Sequence, residues 1–381
     1  MAIKVGVLDD AWTVDFDGLD FVATDSASGV EVRISSPLNL DAGFADDSYT
    51  VHTFLFKGLS ENSTFDVSVK GGGRNFALLT PANAVGSVDH DRAGKAYYAK
   101  CAYVIIRDIL GQKLAGDPQF FEPYAGINGP IPFSDLFHDD TCFLLVDNAE
   151  ASKVKNFSLT KIVPSLLANG FVPVDVCNPQ ELAWRSPIEL DTKSLKVSLI
   201  SDDIGDPELI GDLCSLAVKA SGSSIMQFFY LYQIFEYLME SVLKHRLPEV
   251  AIEMLRKIEN GSGDLYDDYS LLAEVMREKE RLQLLVGKYS DCQSSLGSLA
   301  SVSLDFMRSV NFKISGEMSG VKAVYAVRNF LFHQARNLPV HGESKLDAVV
   351  TALAQFIPEL LATYKYPKHT TVWPLMPAVP S

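Results

Sequence analysis

The sequence predicts an α+β protein: a mostly antiparallel N-terminal β domain of sandwich or barrel type, followed by an all-α bundle. Three observations predict it. Short β-branched and aromatic runs recur through the first ninety residues. The hydrophobic period then changes from two to about 3.6 near Pro207. That helical period continues to about residue 366. The divisions so drawn are a β-rich domain at 1–205, a helical domain at 206–366 and a Pro-rich tail at 367–381.

Taken in order, "KVGVLD", "DFVATD", "VEVRISSPL", "YTVHTFLFKGL" and "TFDVSVKGGGRNFALLTP" read as strands separated by Gly, Asn, Asp and Ser clusters. In "TFDVSVK" the alternation puts Phe65, Val67 and Val69 on one face. Residues 91–205 belong to this domain or extend it as an α/β segment. Within them "KAYYAKCAYVIIRDILGQKL" reads as helix or as buried strand, "DDTCFLLVDN" and "VSLISDD" as strands, and "SLTKIVPSLLANG" as a short helix closed by Gly170.

"SSIMQFFYLYQIFEYLMESVLKHRL" then places Ile225, Phe228, Phe229, Tyr232, Phe235, Leu238, Met239 and Val242 on one stripe of a long amphipathic helix. Pro248 falls a few residues past its expected end. Further helices are expected over 249–259, 266–288, 292–310 and 318–336. A last one starts at Ser344 as N-cap and kinks at Pro358.

Composition narrows the function. The chain has 381 residues, 47% hydrophobic and 21% charged, as in ordinary soluble proteins. Its N-terminus turns acidic before any apolar run of signal-peptide length, and no run approaches eighteen apolar residues, so neither export nor membrane insertion is expected. Five isolated cysteines without a C-x-x-C pair fit reduced thiols in a cytoplasm. The net charge of −15 weakens non-specific attraction to nucleic acid. A nucleic-acid function must then use a locally basic window. Val321 to His341 supplies one, with Lys322, Arg328 and Arg336 and no acidic residue.

Several patterns have plainer readings. "KGGGRN" lacks the Lys-Ser/Thr ending of a phosphate loop and reads as a hairpin turn. "SVDHDR" and "FHDD" lack further ligands at metal spacing and read as solvated turns. The aromatic stripe from Phe228 to Tyr237 reads as core. Glu236 and Glu240, one turn apart, read as a polar flank rather than a catalytic pair. No metal and no cofactor is expected.

The chemistry concentrates in "VRNFLFHQARNLPVH", where Arg-Asn-x3-His occurs twice, as "RNFLFH" (Arg328 to His333) and "RNLPVH" (Arg336 to His341). The first lies in a helical pattern with Val324, Val327 and Leu331 inward. Asn329 and His333 share a face one turn apart, with Tyr325 and Arg336 continuing it. The second is broken by Pro339, so its Arg and His fall on different kinds of backbone. A histidine, an arginine and an amide suit metal-free RNA cleavage. Histidine exchanges the proton of the 2′-OH or of the leaving oxygen, and arginine meets the growing phosphate charge. The amide orients the imidazole or binds a phosphate oxygen. The competing reading, a helix whose Arg and His merely pack at a surface or dimer seam, stands equal on the residues alone.

"RNFLFH", late in an all-helical domain after a long first helix and before a final one, resembles the motif of the HEPN superfamily. Many of its members are prokaryotic RNases of toxin and phage-defence systems. A β-rich domain ahead of such helices resembles the Apea-like members. The resemblance spans about 207–366 and implies a metal-independent endoribonuclease attacking through the 2′-OH. It makes Arg328 the phosphate clamp, Asn329 the orienting polar residue and His333 the acid/base. It also implies a homodimer through the 318–336 helix. Lys322, Arg336 and His341 are then supporting RNA contacts, and the N-terminal domain answers an unidentified trigger or partner. Some HEPN domains are inactive scaffolds, so the alternative is a binding or regulatory subunit acting through dimerisation or docking.

Overall fold

The computed structural model describes residues 12–16, 20–25, 31–35, 48–60, 62–85, 87–95, 98, 104–105, 130–132, 137–174, 176, 184, 193–261, 265–312, 320–339 and 342–366. The chain is mixed α+β, with a curled N-terminal sheet and a C-terminal helical region. Its contacts divide into two units, residues 1–199 with 207–230, and residues 200–206 with 231–381. The change of period at Pro207 therefore marks the start of a helix and not the division between units.

The strands are β1 (Trp12–Phe16), β2 (Asp20–Asp25), β3 (Glu31–Ser35), β4 (Tyr49–Leu55), β5 (Phe65–Val69), β6 (Asn75–Pro81), β7 (Ile131–Pro132), β8 (Thr141–Asp147), β9 (Val172–Pro173) and β10 (Ser194–Val197). They form one sheet ordered β1-β2-β3-β7 and a second ordered β10-β5-β6-β8-β4-β9. Pairing is antiparallel except for β3–β7 and β10–β5. Of the expected runs, "KVGVLD" lies outside the described residues, and β1 forms in the "WTVDF" that comes after it.

Two helices of one turn, α1 (Ala82–Val85) and α2 (Asn148–Ala151), directly follow β6 and β8. β6 from Phe76 and β8 up to Val146 are buried residue after residue, because both sheet faces are covered. Part of that cover is α3 (Leu159–Ala168), whose Ile162 and Leu166 join a core with Phe54, Phe76, Leu144 and Phe171. The helix ends as the sequence implies. Gly170 takes φ +92 and donates to Leu167 O at 2.9 Å, while Phe171 N reaches Leu166 O at 3.0 Å. These are the two bonds of a Schellman cap.

The "KGGGRN" segment is the β5–β6 turn, with Gly71 at φ +80 and Gly72 N donating to Val69 O at 2.9 Å. The expected strand "VSLISDD" is displaced. β10 ends at Val197, because Ser198 N donates to Ser165 Oγ (2.9 Å) instead of continuing the ladder. Of the ambiguous "KAYYAKCAYVIIRDILGQKL" segment, Lys95, Tyr98, Val104 and Ile105 are described, and the last three are helical.

His52 lies on β4 across from Leu144. Burial pushes its pKa below the ordinary histidine value, so the folded state favours neutral imidazole. The unfolded chain takes the proton more readily. Stability is therefore full above the unfolded value of about 6.5 and falls as pH drops through it toward the folded value. His52→Gln should narrow the loss of melting temperature between about pH 7.5 and pH 5, measured by thermal unfolding.

The long helices are α4 (Pro207–Lys219), α5 (Ser224–Glu259), α6 (Leu265–Met276), α7 (Glu278–Gly287), α8 (Gln293–Ser309), α9 (Val321–Gln334) and α10 (Gly342–Thr363). The division between units falls inside α5, after Tyr230. The aromatic stripe of α5 is core: Phe235 stacks on Tyr232 and Phe356 with centroids 5.7 and 5.9 Å away. α10 is long and apolar enough to cross a bilayer. However, 56% of its most apolar window is buried in protein, with Leu353, Phe356 and Leu360 facing the bundle.

Three helix boundaries differ from the sequence reading. α5 runs through Pro248, so 249–259 is its continuation and not a separate helix. Pro248 and Lys244 are exposed, so water can satisfy the Lys244 carbonyl that the proline leaves without its N–H. An Arg246–Glu249 pair at 2.7 Å and buried Val250 hold the far side. Pro248→Ala should raise stability by about 1–2 kcal/mol in a denaturant titration.

The expected 266–288 helix is split at Arg277, whose backbone is extended (φ −78, ψ 125). Glu278 and Glu280 then occupy the first turn of α7, where the helix dipole favours them. α10 starts at Gly342, which places Ser344 inside the first turn and not at the N-cap.

Candidate functional site

α9 carries the predicted trio because its apolar positions repeat at helical spacing. Ala323, Val324, Ala326, Val327, Phe330 and Leu331 are buried, and Phe330 packs edge-on against Phe306 of α8 at 5.7 Å. Burial of that face leaves Tyr325, Arg328, Asn329, Phe332 and His333 on the other.

Arg328 is 18% exposed and held on four sides. Its guanidinium reaches Glu236 Oε1 of α5 at 3.4 Å and Glu278 Oε1 of α7 at 3.5 Å. It donates to Asn329 Oδ1 (3.2 Å) and lies over the Phe332 ring, 4.0 Å from its centroid. The Tyr232 hydroxyl donates to the same Glu278 oxygen at 3.1 Å. Burial, then the neighbouring Glu278 charge, push the Tyr232 pKa up, so the phenol keeps its proton and remains a donor.

The sequence had Asn329 serving the imidazole or a phosphate; its amide oxygen is instead turned to Arg328. His333, one turn further, is exposed, and its imidazole makes no hydrogen bond or ion pair with the described residues. Lys322 is half-buried at the start of α9, and Arg336 is exposed on the 3₁₀ turn Ala335–Asn337. α9 ends at Gln334, and Leu338, before Pro339, is extended (φ −65, ψ 117). His341 lies outside the described residues.

The two α5 glutamates part company. Glu240 is exposed and pairs with Lys244 at 2.8 Å, as a polar flank does. Glu236, read as the same flank, turns to Arg328. Tyr232, Glu278 and Phe332 completed the site without any signal in the sequence, which reads Tyr232 as core and Glu278 as the middle of a 266–288 helix.

The loops that resembled metal sites are structural. His138 Nδ1 lies 3.7 Å from Asp140 and accepts from the Asp140 backbone N–H (3.2 Å). His90 is buried, not solvated as expected, and packs on Tyr98 with ring centroids 4.3 Å apart. Its neighbours Asp91 and Arg92 pair with Lys193 and Asp66. Among the described residues, no three His, Cys, Asp or Glu side chains gather as a metal-binding group.

α5 and α7 run alongside each other in the same direction. Their contacts advance together in number, from Tyr232 with Glu278 to His245 with Tyr289, two residues past the end of α7, whose hydroxyl lies 2.7 Å from His245 Nδ1. The Arg328 cluster sits at the early end of this seam. Comparison with protein-family models, curated proteins and solved structures finds no match to the chain.

Proposed function

We propose that the chain is a metal-independent endoribonuclease of the HEPN type, with His333 as acid/base and Arg328 as phosphate clamp, working in phage defence or as a toxin. The observation that carries this reading is the division of labour on one helix face. Arg328 is fixed in place by Glu236, Glu278 and the Phe332 ring, and Asn329 caps its guanidinium. His333 is left exposed on the next turn. A guanidinium held in position loses little freedom when it meets a phosphate, and an exposed imidazole can exchange protons with a bound ribose. The resemblance further implies a homodimer through α9, which sedimentation would test. The deciding experiment is RNA cleavage in EDTA by the parent chain and by His333→Ala.

One observation favours the second reading, a non-catalytic binding or regulatory subunit. Two carboxylates already answer the single charge of Arg328, which leaves less of it for a phosphate. Absence of cleavage on any RNA, with the fold intact, would decide for that subunit.

A further inference from the structure

The exposed apolar side chains are not spread evenly over the surface. Of the twelve large ones most exposed among the described residues, six lie between Leu247 and Met276. A soluble surface holds such residues singly, and a concentration of them marks a contact site. The densest run is on α6, where Tyr266, Tyr269, Ala273 and Met276 recur at i, i+3, i+7 and i+10 and so share one face. Tyr266, Tyr269 and Met276 are 80%, 74% and 56% exposed. Val275, on the far side of the helix, is buried. α6 therefore has two apolar faces and covers only one of them.

The outer face is hollow. Tyr266, Tyr269, Ser270 and Ala273 line an open groove of about 450 Å³. Ala273 is the small residue of the stripe, between Tyr269 and Met276, and gives the groove its depth. The segment that carries it has one sign of charge. From Ile258 to Met276 the chain has Glu259, Asp264, Asp267, Asp268 and Glu274 and no basic residue. An occupant must bring apolar side chains for the groove and positive charge to answer those acids. A second copy fails the second condition, because a two-fold contact through this face sets the same acidic residues against each other.

We propose that the α6 groove docks a segment of another protein, a basic amphipathic helix that seats its apolar side on Tyr266, Tyr269 and Met276. The stripe is about 15 Å long by the rise per residue, nearly three turns, which suits the i, i+3, i+7 anchors of a helix laid in a groove. Lysines or arginines on that helix answer the acidic segment and set the approach of the partner. The site does not depend on the reading of Arg328 and His333 as a nuclease centre.

The probe is a labelled peptide helix with leucine on one side and lysine on the other, followed by anisotropy against the full chain. A second helix carries glutamate at every lysine position. The lysine helix should bind, more weakly as salt rises, and the glutamate helix should not. Tyr269→Lys should weaken binding about tenfold or more at an unchanged melting temperature, the loss expected of a tyrosine anchor. Leu216→Lys, at an exposed leucine of α4, should leave binding unchanged. Equal affinity in the parent and in Tyr269→Lys, or no binding of the lysine helix at all, would overturn the proposal. A parent dimer that Tyr269→Lys turns into a monomer in sedimentation would also overturn it, by assigning the face to a second copy. Binding that appears only in Trp373→Ser would assign the groove to the chain's own Pro-rich tail and overturn the outside partner.

Discussion

His333→Ala is expected to lower RNA cleavage by about 10²–10⁴-fold, the span that a positioned acid–base residue supplies. The fold should be untouched, because the imidazole is exposed and bonded to none of the described residues. Cleavage by the parent should persist in EDTA, since His333 and Arg328 would supply the proton transfer and the charge themselves. The result that sinks the assignment is a His333→Ala chain that cleaves like its parent. Arg328 needs a gentler change. Arg328→Ala would leave Glu236 and Glu278 facing each other unpaired, so lost activity and lost stability would arrive together. Arg328→Lys keeps the charge but not the fork, and should lose cleavage with a smaller fall in melting temperature.

Phe235→Ala should cost about 3–5 kcal/mol of stability, the usual range for removing a buried phenyl ring. The ring is 2% exposed and stacks on Tyr232 and on Phe356 of α10. Its loss also frees the ring beneath the Tyr232 hydroxyl, which donates to the glutamate facing Arg328. Chemical denaturation would measure the cost. A loss under about 1 kcal/mol would mean that the stack is not part of the cooperative core.

The contrast between legible and illegible parts follows from range. The stripe of α5, the inward face of α9 and the cap at Gly170 depend on neighbours a few residues away, and the sequence displays them. Pro248 misled because a proline ends a helix only when its missing bond stays unsatisfied, and exposure at Lys244 removes that condition. The site was visible on one side alone. "RNFLFH" places Arg328, Asn329 and His333 on one helix, but the carboxylates come from positions 236 and 278, and nothing local joins them to Arg328. Asn329 turned to its neighbour for a local reason: a guanidinium one residue away was a strong donor within reach.

The parallel course of α5 and α7 places a demand on the chain between them. From the level of Glu236 to Glu259, α5 climbs about 35 Å by its rise per residue, and the chain must descend most of that before Glu278 meets Tyr232. α6, at twelve residues, can return no more than about 18 Å of it, so the chain joining the two helices has to be long enough for the remainder. Chain length, as much as charge, thus decides which carboxylate arrives opposite Arg328.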